Sequence, residues 1–231
     1  MILADVSGAL GYASPQHYPA VVTDRWGRFE TTLVNTGGTF TTVVRGNRFE
    51  GTSVDGLELV GAPAETGEPP VLNHGDLCSC TIEWRMPVEV SLAGAGVSSV
   101  PLTARLVLGD PAPDNGIDCV GVTLRLHLPT GVVETGAPQG WMEEALADLQ
   151  RRLPDGTRLL ACISCAFSDY HPAGAGFIGS MACFRDRKDA YRTVADKWDL
   201  IALWDRRSGF VQETFHCPDF EQRRPGSGYR G

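Results

Sequence analysis

Arg28-Phe29-Glu30-Thr31-Thr32-Leu33-Val34-Asn35-Thr36-Gly37-Gly38-Thr39-Phe40-Thr41-Thr42-Val43-Val44 decides the fold class. Two runs of β-branched and aromatic residues flank a Gly pair, which is a hairpin signal: such side chains suit a pleated surface, and glycine takes the turn. The alternation extends from Val21 to about Val60, and a Gly/Pro-rich link follows at 61–70. Further strands are predicted at Cys78 to Met86, Pro101 to Leu108 and Val120 to Leu128. With no helical periodicity between them, residues 1–135 are predicted to form an antiparallel β-sandwich-like region.

Gln139 to Leu153 changes the period. Trp141, Met142, Ala145, Leu146, Leu149 and Leu153 recur at helical spacing, with Glu143, Glu144 and Asp148 between them. The helix ends at Pro154-Asp155-Gly156, a turn that launches the apolar run Leu159 to Phe167. A second helix is predicted from Lys188 to about Trp198, and the last strands at Ile201 to Trp204 and Phe210 to Cys217. The chain therefore reads as α+β, mostly β, with a small α+β region of two helices over 136–231.

Of 231 residues, 42% are apolar, enough for a sizeable core. Met1-Ile2-Leu3-Ala4-Asp5 carries a charge at once and has no basic region before it, so no secretory signal is read there. No window reaches the ~20 apolar residues of a membrane-spanning helix. The expected compartment is the cytoplasm, with no membrane partner. There thiols stay reduced, and clustered cysteines point to metal or catalysis before disulfides. The net charge of −8 argues against a nucleic-acid partner, because neutralising phosphates needs surplus Lys and Arg. That charge is uneven: 1–150 carry a net −11 and 151–231 a net +3, so the second part has the better claim to a small anionic ligand or an acidic protein partner.

Cys162, Cys165, Cys183 and Cys217 read C-x2-C-x17-C-x33-C, a spacing that could gather four thiolates on one zinc. Leu159 to Phe167 and Phe177 to Phe184 look like two strands of a hairpin centred near residue 174, which sets Cys165 across from Cys183. Residues three apart on a flat strand face opposite ways, so Cys162 and Cys165 reach one metal only if a bulge or turn interrupts the strand at Ile163-Ser164. Buried apolar thiols and a redox dithiol are the alternatives, the latter disfavoured because its C-x2-C belongs at a helix start. With four thiolates the zinc would be structural, leaving no open position for water.

Weaker candidates accompany this set. Cys78, Cys80 and Cys119, with His74, could make a second site, but a core reading suits them better. Asp110, Asp114, Asn115 and Asp118 share a loop that matches no EF-hand pattern. Asp169, Tyr170, His171, Glu213 and His216 are of the residue types that move protons, and would serve a small-molecule tailoring enzyme if they lined one cleft. The tail Arg223-Arg224-Pro225-Gly226-Ser227-Gly228-Tyr229-Arg230-Gly231 offers three charges and a Gly-rich turn for an anion.

The run Cys162-Ile163-Ser164-Cys165-Ala166-Phe167-Ser168-Asp169-Tyr170 is followed by Pro172 and Gly174, Cys183-Phe184-Arg185-Asp186, Gln212-Glu213-Thr214 and Cys217-Pro218. Together with the closing Pro225 to Gly231, it resembles a family of uncharacterised actinobacterial proteins of unknown function. The resemblance covers about the last third of the chain and implies no activity. The expected protein is a cytoplasmic zinc-binding one, whose structural four-cysteine site supports a binding or assembly module.

Overall fold

The computed structural model describes residues 16–226 and 229, except 37, 66, 114, 175, 176 and 179. The expectations for residues 1–5, for Asp114 and for tail residues 227, 228, 230 and 231 lie outside the described residues.

Eleven strands run in chain order through the predicted β region: β1 (Gln16–Asp24), β2 (Gly27–Asn35), β3 (Phe40–Val44), β4 (Asn47–Gly51), β5 (Glu58–Leu59), β6 (Val71–Asn73), β7 (Asp76–Cys78), β8 (Cys80–Leu92), β9 (Gly96–Leu108), β10 (Val120–Leu128) and β11 (Gly131–Glu134). The quoted hairpin forms as predicted, Val34 facing Thr41 and Asn35 facing Phe40. Instead of a sandwich, the strands make one antiparallel sheet in the order β11-β10-β9-β8-β1-β2-β3-β4-β5-β7-β6. Period-2 patterning marks which face is buried and leaves open whether the strands share one sheet or two.

The longest strands of that sheet make the β8–β9 hairpin, thirteen residues a side. Ile82 faces Leu106, Trp84 faces Ala104, Met86 faces Leu102 and Val88 faces Val100. All eight are buried. A bulky indole opposite a methyl fills one layer without overpacking. The other edge of β8 is divided: Thr81–Trp84 pair with β1, and Glu89–Ser91 pair with β12 (Arg158–Leu160).

The first predicted helix is α1 (Met142–Arg152), whose Met142, Ala145, Leu146 and Leu149 join the core of the large sheet. Beyond β12 come β13 (Ser168–Asp169), β14 (Ser180–Cys183), α2 (Lys188–Arg192), α3 (Lys197–Leu203) and β15 (Gly209–Gln212). Strands β13, β14 and β15 form a separate three-stranded sheet. Four expectations change here. The strand Leu159 to Phe167 is broken by a 3-10 turn at Cys162–Ser164. The hairpin register sets Ser168, not Cys165, across from Cys183. The second helix is two short ones, so the region holds three helices rather than two. Ile201 to Trp204 is helical, because Asp196 caps α3 by accepting from the Trp198 and Asp199 N–H groups, and Leu200 and Leu203 bury one face at helical spacing.

Asp24 fastens the β1–β2 turn to the β3–β4 turn. Arg45 donates to it from Nε and Nη2, both at 2.8 Å, and the Trp26 N–H donates at 2.8 Å. Arg45 and Gly46 both have positive φ, +49° and +79°, the two-residue turn that suits strand twist. Burial raises the Asp24 carboxyl, but the Arg45 fork and the Trp26 N–H outweigh it and hold the group below its ordinary value. A carboxyl depressed by folding adds stability above its unfolded pKa, about 3.9, and loses it as pH falls through the lower folded value. Arg45→Gln is expected to lower the urea midpoint at pH 7, and its gap to the parent protein should narrow as acid protonates Asp24. A gap that stays constant as pH falls would contradict the pairing.

Candidate functional site

After β12 the chain enters the cysteine region through a tight turn. The Ser164 N–H donates to the Ala161 carbonyl at 2.9 Å and the Cys165 N–H to the Cys162 carbonyl at 3.0 Å. This is the interruption at Ile163-Ser164 that a shared metal requires. The segment carrying Cys217 is laced to the same turn. Cys162 N–H donates to Phe215 O at 2.7 Å, Ile163 N–H to Glu213 O at 2.9 Å, and Arg223 N–H to Ser164 O at 2.8 Å. Cys217 lies beyond the end of β15, in a turn where its carbonyl accepts from Phe220 N–H at 3.0 Å.

All four cysteines are buried. Alternation along β14 sends Met181 and Cys183 to one face of the small sheet, where they pack with Cys162 and Val211. Ala182 faces the other way, in the cluster that holds Cys165, Phe167, Phe184 and Tyr191. Burial is the chief cause that pushes the Cys162 thiol far up, followed by Cys165, Cys183, Cys217 and Glu213 in that order. Cys183 is pushed up to about 11, again mainly by burial, while a hydrogen bond from the Arg185 N–H pulls the other way. Among the described residues, no group of three or more His, Cys, Asp and Glu side chains is arranged to hold a metal ion.

The second cysteine group stays apart. Cys80 packs in the main core, where burial pushes it up to about 12, and Cys119 is exposed. His74 instead hydrogen-bonds Asn115, Nε2 to Oδ1 at 3.1 Å. In the acidic loop, Asp118 Oδ1 turns back to accept from the Asp110 N–H at 2.9 Å, which is a turn's work.

Of the proton-transfer candidates, Asp169, Tyr170 and His171 line one cavity of about 360 Å³ with Trp141, Phe177 and Glu144. Glu213 sits behind them, accepting from the Tyr170 hydroxyl at 3.1 Å. His216 lines a different cavity beside Tyr18 and Pro87. Asp169, fully buried, accepts from the Tyr191 hydroxyl at 2.7 Å, and Arg223 donates to that hydroxyl from Nη1 at 3.3 Å. Arg223 also donates to the Ser168 carbonyl. Burial first, and then the Asp169 charge, push the Tyr191 phenol far up, so it stays a donor at any ordinary pH.

A model of a family of unknown function, DUF6304, matches residues 16–168. The chain belongs to this family. The match takes in the large sheet, α1 and the C-x2-C turn, and it overlaps the expected resemblance in the last third only at 162–168. Cys183, Cys217 and the arginine-rich segment near Arg223 lie outside it. No curated protein and no solved structure matches the chain.

Sequence reading missed a larger cavity, about 760 Å³, walled by Arg158, Phe167, Tyr191, Arg192, Arg223 and Arg224. Its lining comes from four separate segments, and the signal available was the positive excess of 151–231. The Asp169–Tyr191–Arg223 network joins its wall to the wall of the smaller cavity. Tyr191→Phe is expected to cost about 1.5–3 kcal/mol in urea denaturation, the range for a buried hydrogen bond to a charged group. A loss under about 0.5 kcal/mol would mean that Asp169 does not depend on this hydroxyl.

Proposed function

We propose that the chain is a binding module whose cysteine region is closed by one structural zinc on Cys162, Cys165, Cys183 and Cys217. The observation that carries this reading is the 3-10 turn at Cys162–Ser164. It interrupts the strand between Cys162 and Cys165, as a shared ion requires of the C-x2-C, and its N–H groups hold the segment that leads to Cys217. The packing of Cys162 with Cys183 in one cluster, and the Arg185 N–H aimed at Cys183, support it further. Ligation asks the thiols to turn about their Cα–Cβ bonds onto a shared centre, a change between staggered rotamers. Cys165 turns furthest, since it packs on the aromatic cluster.

The chemistry of the donor set fits zinc. Four soft sulfur ligands suit that ion, and saturating its four positions leaves no place for an activated water. The metal then holds the arginine-walled cavity in shape and takes no part in a reaction. A redox dithiol loses support, because thiolate reactivity needs a lowered pKa and burial drives Cys162 the other way.

A second reading, a small-molecule tailoring enzyme, draws on the convergence of Asp169, Tyr170 and His171 on one cavity. Against it, Glu213 and Asp169 are engaged by tyrosine hydroxyls, and His216 faces elsewhere.

Purified protein is expected to carry one zinc per chain. Because burial keeps the metal-free Cys162 and Cys183 thiols protonated at neutral pH, with Cys183 up to about 11, binding releases protons, and a chelator should strip the ion more easily at pH 6 than at pH 8. Cys162→Ser and Cys217→Ser should each lose the metal and roughly 10 °C of melting temperature, the equivalent of several kcal/mol in a chain of this size. Zinc-free protein whose melting temperature is unchanged in both variants would remove the reading.

A further inference from the structure

We infer that the arginine-walled cavity binds a small multivalent oxyanion, with guanidinium forks from β12, α2 and the segment after Cys217 converging on it. The use of the cavity rests on the binding-module reading above but not on the metal.

Arg158, Arg192, Arg223 and Arg224 line the cavity, and Glu221 is the single carboxylate among its described lining residues, which carry a formal +3 in a chain of net −8. Glu221 is already committed. It accepts from Lys188 Nζ at 3.0 Å and from Arg192 Nη2 at 3.4 Å, and these cations hold its carboxyl below the ordinary value. Arg158 makes no ion pair among the described residues. Like charges gathered around one concave volume repel one another, and an anion inside relieves that repulsion.

Guanidinium is the group suited to this recognition, since its planar fork meets phosphate or carboxylate oxygens two at a time. The wall is also set firmly. Arg223 is held by the Tyr191 hydroxyl and the Ser168 carbonyl, and its backbone N–H by Ser164. Preorganised donors spend less on ordering when the ligand arrives.

The size and the aromatic residues narrow the class. About 760 Å³ lies in the range of small-molecule sites and is concave, unlike the flat faces that proteins dock on. Phe167 and Tyr191 do not offer a shelf for a stacked base. Lys188 and Arg192 already lie over the Phe167 ring, at 4.9 and 5.1 Å from its centroid, and Tyr191 is 1% exposed. What the cavity recognises is therefore the anionic part of a ligand: a diphosphate or a polycarboxylate.

Isothermal titration of the full chain with pyrophosphate and with citrate, against sodium chloride at matched ionic strength, tests this. At least one of the two should give saturable binding that weakens as salt rises, and the preferred one identifies the phosphate or the carboxylate source. The double variant Arg158→Gln/Arg224→Gln should bind about tenfold or more weakly while keeping its melting temperature, as fits the loss of charge-assisted contacts from exposed side chains. Arg125→Gln, which removes a charge paired with Glu134 on β11 and not among the cavity's lining residues, should bind like the parent protein. Zinc content, measured before and after because both probes bind metals, separates this inference from the metal reading. No saturable heat from either probe, or unchanged affinity in the double variant, overturns it whatever the zinc content.

Discussion

Everything in this fold is hung from strand β8. One edge is used along its whole length by β9, and the other is shared between β1 and β12. A one-residue slip would send Ile82, Trp84, Met86 and Val88 to the opposite face, so the cost of exposing them fixes the register on both sides. Because β12 takes the last part of that edge, the chain that goes on to Cys162 leaves the sheet at a defined point and direction. The cysteine region is positioned by the same hydrogen bonds that complete the large sheet. Ties such as Tyr18 Oη to Gln212 Oε1 at 3.1 Å, and Ile178 N–H to Ser53 Oγ at 3.2 Å, secure it from the other side.

The small region itself has little apolar mass. Among the described residues, its two clusters are built on eight and four buried residues, three of them cysteines, with partly buried side chains such as Trp204, Phe210 and Phe215 packed against them. A core of that size is marginal without a cross-link of some kind, which is the situation in which small natural modules use a metal. Buried thiols offer two inexpensive states. They can stay protonated as small apolar groups, or they can lose their protons together to an ion that compensates all four charges. Lone thiolates in this setting are the costly state, and the upward push on Cys162 and Cys183 expresses that cost. The same region supplies most of the wall of the basic cavity, with Arg158 added from β12.

How much of this was legible in the sequence depended on how local the determining interaction is. The β2–β3 hairpin and α1 were read correctly, since alternation and helical spacing are properties of adjacent residues. The apolar run from Leu159 to Phe167 was misread because eight apolar residues in nine, without period, suit a strand and a buried turn alike, and hydrogen bonds to residues some fifty positions away decide for the turn. Ile201 to Trp204 was misread for another reason: Asp196 and Asp199 already signalled a helix start, and Leu200 with Leu203 gave its spacing. The single sheet in place of a sandwich follows from pairings such as β8 with β1, which no periodicity encodes. At the site, Asp169 to His171 were found as a contiguous motif, whereas Tyr191, Arg158 and Arg192 entered only through tertiary folding.

X-ray absorption at the zinc edge of the purified full chain tests the central claim most directly. A first shell of four sulfur atoms at about 2.3 Å is the result that this account predicts. A shell of oxygen or nitrogen, or the absence of a zinc edge from protein that is folded, would contradict it.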